Sequence, residues 1–172
     1  MIEKNTLQKI AEVFFDQPSR QFHLRELSRL TKLSLPSIIT ATDKLAQEKI
    51  ITKTKGSLLT TVTANREQST FVWRKRLFNL EKMYLSGLIK FLDHQYHHPP
   101  AIILFGSFSR GEDTERSDID LAVLGRNEKP LSLETFEKNL KKRISLHFIK
   151  RDEISEEFKA NLANGIVLEG SW

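Results

Sequence analysis

Apolar positions in the first third of the chain recur at helical spacing. Over residues 5–16, Leu7, Ile10, Ala11, Val13 and Phe14 share a face and Asn5 offers an N-cap, which predicts a first helix. A second is predicted over 24–31, with Leu24, Leu27 and Leu30 on one side and Arg25 and Arg29 on the other. After the break Lys32-Leu33-Ser34, a third helix begins with Ser34 as cap and Pro36 in its first turn, where the missing N–H breaks no bond, and runs to about Glu48. It carries two stripes: Leu35, Ile38, Thr42 and Leu45 read as core, while Ser37, Thr40, Ala41 and Lys44 form a small, polar face. Residues 50–55 and 58–64 are rich in β-branched side chains and flank Gly56-Ser57, which predicts a hairpin with a two-residue turn.

Further along, residues 66–96 contain no proline and one interior glycine, Gly87. Leu77, Leu80, Tyr84, Leu88 and Phe91 fall at helical spacing, which predicts one long connecting helix. Its aromatic content (Phe71, Trp73, Phe78, Tyr84, Phe91) favours burial, and Pro99-Pro100 ends it. The nearby His94, His97 and His98 read as a solvated tail and are assigned no role. Residues 101–105 form a short apolar run, expected as a buried strand, that leads into a turn at Gly106-Ser107. Residues 117–123 alternate polar and apolar with period two, so Asp118 and Asp120 share one strand face while Ile119, Leu121 and Val123 face the core.

Composition narrows the class. The 172 residues suit one medium domain or two small ones, and 39% apolar content without a long uncharged apolar run argues for a soluble chain with no membrane partner. The N-terminus lacks an apolar signal core, so a cytoplasmic location is expected. With no cysteine there is no disulfide framework or thiolate metal site. The net charge of +5 is uneven: basic residues outnumber acidic ones 11 to 6 in residues 1–66 and 5 to 3 in 67–98, but trail 11 to 13 in 99–172. A basic front half suits a polyanion, and an acidic rear with clustered carboxylates suits a cation.

Three helices, a tight break between the second and third, and a hairpin bearing Lys53 and Lys55 resemble the winged helix-turn-helix family. The resemblance implies DNA binding, with Ser37, Thr40 and Lys44 of the third helix facing base edges and Arg25, Arg29, Lys53 and Lys55 on phosphates. Because winged helices commonly read palindromes as dimers, a homodimer is compatible with it. Winged helices also serve as dimerisation or protein-docking modules, and that alternative stays open.

The rear of the chain carries the chemistry. Gly106 and Gly111 bracket Ser107-Phe108-Ser109-Arg110. Glycine lets backbone amides approach phosphate, a hydroxyl donates to its oxygens and Arg110 offers a charged fork. Two carboxylates about 7 Å apart on one strand face repel unless a cation bridges them, and Mg²⁺ takes one or two carboxylates plus substrate phosphates. The string GSFSRGEDTERSDIDLAVL, with ten residues between Gly106-Ser107 and Asp118, resembles the defining motif of the polymerase-beta nucleotidyltransferases, and more closely their minimal bacterial and archaeal forms.

That resemblance implies an α+β chain with three parts: a winged helix at 1–65, a connecting helix at 66–98 and a nucleotidyltransferase-fold domain with a small mixed sheet at 99–172. In the last part it implies a helix over 133–142, a third strand over 144–149 and a final helix ending at Gly165. By position, Gly106, Ser107 and Arg110 would hold the triphosphate of an NTP, with ATP the expected nucleotide. Asp118 and Asp120 would be the catalytic metal ligands for Mg²⁺. The family's third carboxylate is missing: Ser145 stands where it is expected, His147 is the next inward residue, and Asp152 and Glu153 read as a helix start. The implied activity is nucleotide transfer to a protein hydroxyl, as in antitoxins that modify a partner such as a HEPN-type toxin. The alternative is a catalytically impaired, nucleotide-sensing or toxin-binding transcriptional regulator.

Overall fold

The computed structural model describes residues 6–57, 59–150 and 156–171. The expected Asn5 cap and the expected helix start at Asp152 and Glu153 lie outside them. The chain divides into two compact units, Met1–Lys75 and Arg76–Trp172. No helix among the described residues is long and apolar enough to cross a membrane.

In the first unit, α1 (Thr6–Asp16), α2 (Leu24–Thr31) and α3 (Leu35–Gln47) accompany a sheet of β1 (Gln21–His23), β2 (Ile51–Lys55) and β3 (Thr60–Ala64), ordered β1-β3-β2 and antiparallel throughout. Local chemistry explains the helix ends. Ser34 sits in extended backbone, its hydroxyl accepts from the Ser37 N–H, and Lys32 terminates α2 in the left-handed region. The core is built from Ile10, Ala11, Phe14 and Phe15 of α1 against Phe22, Leu27, Ile38, Leu45 and Val62. Thr42 is fully buried, and its hydroxyl is satisfied by donating to the Ile38 carbonyl at 2.8 Å.

Three expectations are corrected here. The hairpin does not close on a two-residue turn at Gly56-Ser57: Lys55 pairs with Thr60, and the Gly56 N–H bonds the Leu59 carbonyl. Leu30 is half exposed, and Ala41, placed on the polar face by its small size, is buried. Strand β1 was not expected: three residues show no alternation, and the strand exists because Phe22 pairs with Val62 and packs edge-on against Phe14 at 5.3 Å.

The single connecting helix is also corrected. It is α4 (Ser69–Leu85) followed by α5 (Leu88–Gln95). Gly87 takes φ 77, a conformation that glycine adopts without steric cost, and a Cβ there would meet nothing, so backbone preference rather than crowding sets this break. Trp73, Leu77 and Tyr84, expected to be buried, are exposed at 65%, 67% and 55%. The buried positions of α4 are Phe71, Lys75, Phe78, Asn79 and Met83, two of which are polar. Lys75 is 2% exposed and donates to the Phe15 carbonyl at 2.7 Å.

The second unit is built on a mixed sheet ordered β6-β5-β4-β7. Strand β4 (Ala101–Phe105) leads into the one-turn helix α6 (Gly106–Arg110), and β5 (Ile119–Leu124) pairs antiparallel with β4. Helix α7 (Glu134–Leu140) then leads to β6 (Ile144–Ile149), parallel to β5, and α8 (Glu156–Ala163) leads to β7 (Ile166–Gly170), antiparallel to β4. One sheet face carries Ile102, Leu104, Ile119, Leu121 and Val123 into a core with Met83, Leu88, Leu92, Phe108 and Leu140. The other holds a smaller cluster of Ala101, Ile103, Phe105, Ala122, Leu124, Ile149 and Leu162. A fourth strand, β7, not among the anticipated elements, follows the final helix expected to end at Gly165. Its apolar residues Ile166 and Leu168 alternate with exposed Val167, a signal too short to separate from a tail without its partner β4.

These packing differences predict a contrast. Phe22→Ala should lower stability by roughly 3–5 kcal/mol, the usual loss for a buried aromatic, whereas Trp73→Ala should change it by less than about 0.5 kcal/mol. Urea unfolding of the intact chain followed by circular dichroism measures both.

Candidate active site

The antiparallel pairing of β4 with β5 sets Phe105 opposite Asp120, so the residue after β4 arrives beside that carboxylate. That residue is Gly106, at φ 72, and a Cβ on it would lie 2.5 Å from Asp120 Oδ2 and 3.3 Å from its Cγ. Two separate conditions therefore demand glycine: a left-handed backbone and the carboxylate pressed against Cα. The expected tight turn is a single helical turn. The Ser109 hydroxyl closes it by donating to the Gly106 carbonyl at 2.8 Å, and Phe108 anchors it in the core. Ser107 is half-buried at its start. Arg110 is exposed, with its Nε 2.7 Å from Glu112 Oε2 in a surface ion pair.

Asp118 and Asp120 flank Ile119, whose side chain is fully buried in the larger core. Alternation along β5 therefore turns Asp120 toward the opposite face, whereas Asp118 stands just before the strand and lines a groove with Glu134, Glu137 and Arg143; the two side chains are 29% and 34% exposed. Each meets a cationic or ionisable neighbour. Arg143 Nε donates to Asp118 Oδ1 at 3.1 Å, and His147 Nε2 lies 3.4 Å from Asp120 Oδ1 while its ring meets Phe105 edge-on at 5.1 Å. Arg143 was missed in the sequence because nothing local links it to a residue 25 positions earlier; the parallel β5–β6 pairing does.

That same pairing sets Ser145 directly beside Asp120. Among the described residues no group of three His, Cys, Asp or Glu side chains is gathered as for a metal. The donors present nevertheless have the chemistry for one magnesium ion, since one or two accessible carboxylates are the protein share such an ion takes. The Arg143–Asp118 pair does not block this: Arg143 is 80% exposed, and a surface pair contributes only roughly 0.2–1 kcal/mol. A second ion would lack its usual third carboxylate, which Ser145 does not replace.

The structure separates the residues expected to meet DNA. Arg25, Arg29, Thr40, Lys44 and Lys55 are exposed. Lys53 is not free for a phosphate: its ammonium is 2.7 Å from Asp43 Oδ1 and 3.3 Å from Thr42 Oγ1, with 13% of the side chain exposed. Ser37 is half-buried, and its hydroxyl lies 2.8 Å from that of Ser34. Ser37, Thr40 and Lys44 line a groove of about 560 Å³ together with Thr6, Leu7 and Pro36. Of the histidines given no role, His98 pairs with Asp93 at 2.8 Å, and His94 and His97 are exposed.

Comparison with curated proteins and with solved structures gives no match to the chain. The family model described as "Polymerase beta, Nucleotidyltransferase" matches residues 87–169, the stretch that contains the Gly106 turn, both aspartates and the mixed sheet up to the last residue of β7, and this supports the nucleotidyltransferase superfamily for that part of the chain.

Proposed function

We propose that the second unit transfers a nucleoside monophosphate from an NTP, with ATP the expected substrate, to a hydroxyl group on a protein. The observation that carries this reading is the contact between Gly106 and Asp120, which sets a glycine-serine turn suited to phosphates against an accessible carboxylate. In the reaction the acceptor oxygen attacks the α-phosphorus, the bond to the β-phosphate oxygen breaks, the hydroxyl proton is released and pyrophosphate leaves. Gly106 and Ser107 hold the phosphates at the turn, and Arg110 reaches them by exchanging its surface pair with Glu112. Asp118 and Asp120 hold the magnesium ion, which when bound supplies the positive charge that offsets charge developing on the phosphate oxygens. The acceptor we infer is a protein such as the toxin of an antitoxin pair.

A specific observation favours a second reading. Ser145 occupies the strand position beside Asp120, so no third carboxylate stands ready to activate the acceptor oxygen. On that reading the unit binds nucleotide without turnover and serves as the sensor of a regulator. In either case we infer that the first unit is a winged helix that binds DNA. Thr40 and Lys44 meet bases, and Arg25, Arg29 and Lys55 meet phosphates. Lys53 serves instead as a brace between hairpin and α3.

Three outcomes test these readings. Incubation with labelled ATP, magnesium and candidate acceptor proteins should label an acceptor, and Asp118→Asn/Asp120→Asn should lower the rate at least about a hundredfold. Tight ATP binding without transfer to any acceptor would select the sensor reading, and no ATP binding would overturn both. Gly106→Ala should weaken ATP binding at least about tenfold while circular dichroism shows an intact fold, because its Cβ displaces Asp120. On duplex DNA, Arg25→Ala/Arg29→Ala should weaken binding similarly for all sequences and reduce the salt slope by about 2, read by fluorescence anisotropy across a salt series.

A further inference from the structure

The segment between the turn and the first aspartate is tied down by charged groups that take no part in the proposed chemistry. Asp113 is 1% exposed, and its carboxylate is completely buried. Its Oδ2 lies 3.0 Å from Lys142 Nζ, whose side chain is 8% exposed. Its Oδ1 accepts from Asn79 Nδ2 at 2.7 Å, and Asn79 is 2% exposed. Asn79 Nδ2 also donates to the Phe108 carbonyl at 2.9 Å, inside the helical turn itself. Lys142 Nζ donates to the carbonyl of Thr114 and, at 3.4 Å, to that of Ser117, the residue before Asp118. The Thr114 N–H in turn bonds the Ser117 hydroxyl at 2.9 Å.

Buried charge is costly, and replacing an ion pair with apolar side chains of similar volume is often neutral or stabilising. A pair kept in such a place therefore points to a geometric task. Here the task is visible in its partners. The groups bonded by Asn79 and Lys142 lie along residues 108–117, the chain that joins the phosphate turn to the metal-binding aspartates. Lys142 also directly precedes Arg143, which holds Asp118. One cluster thus fixes both ends of the site relative to the sheet.

We propose that Asn79, Asp113 and Lys142 are positioning residues that preorganise the 106–118 segment for the triphosphate, acting through the backbone carbonyls of Phe108, Thr114 and Ser117. This rests on the nucleotide-binding reading given above. It adds to that reading two residues outside the glycine-serine and aspartate motif, Asn79 and Lys142, and one between its two halves, Asp113.

The test compares wild type with Asp113→Leu/Lys142→Met, which removes both charges at once and leaves none stranded. Hydrogen exchange followed by mass spectrometry reads the segment without reference to activity. Peptides covering 107–117 should exchange at least about tenfold faster in the variant, while peptides from β4 and β5 keep wild-type protection and circular dichroism reports the same fold. Affinity for ATP with magnesium, by calorimetry, should fall at least about tenfold. Unchanged exchange across 107–117 and unchanged ATP affinity in the folded variant would overturn the proposal. If wild type binds no ATP, the nucleotide reading fails, and the exchange arm still decides whether the cluster holds the segment. If the double variant does not fold, Asn79→Ala leaves the ion pair in place and is read the same way, with the effect centred on the Phe108 turn.

Discussion

The pairing of β4 with β5 is the constraint on which the second unit depends. Their antiparallel register sets Phe105 against Asp120, and one residue later the chain must turn away from the sheet with a carboxylate at its Cα. Only a residue without Cβ in left-handed backbone satisfies both demands. The Gly-Ser turn and the second aspartate are thus one structural unit, although 14 positions separate Gly106 from Asp120 in the sequence. β5 then sorts its own residues: Ile119, Leu121 and Val123 enter the larger core, and that burial holds Asp120 on the other, accessible side.

What surrounds the aspartates decides how much chemistry they can do. β6 lies parallel to β5 and offers Ser145 and His147 from its strand, with Arg143 just ahead of it. These neighbours put a hydroxyl, an imidazole and a guanidinium around the two aspartates. The resulting cluster is less negative than one of three carboxylates would be. The match of residues 87–169 to polymerase-beta nucleotidyltransferases supports the nucleotidyl-transfer superfamily for this arrangement.

Much of the helical structure is legible in the sequence. α2 ran over the anticipated residues, and Ser34 capped α3 as its hydroxyl and the following Pro36 suggested. These are local effects, settled within one turn of backbone. α4 was misread for the opposite reason. Hydrophobicity favoured the face with Trp73, Leu77 and Tyr84, yet the buried positions include Lys75 and Asn79, whose polar groups reach partners far away in sequence, at Phe15, Phe108 and Asp113. A buried lysine looks like a surface residue until its acceptor is known.

The sequence by itself determined the local elements and the chemistry of the motif. Cap residues, period-two alternation and glycine placement act over a few bonds, so the three N-terminal helices, a chain reversal at Gly106 and a strand through Ile119, Leu121 and Val123 could be read directly. Tertiary structure alone decided which strands exist by pairing, β1 with β3 and β7 with β4, and which cations stand beside the aspartates. It also engaged Lys53 with Asp43 and buried Asp113 with Lys142. Those outcomes depend on contacts between residues distant in the chain, whose free energy comes from burial and pairing that no short window of sequence contains.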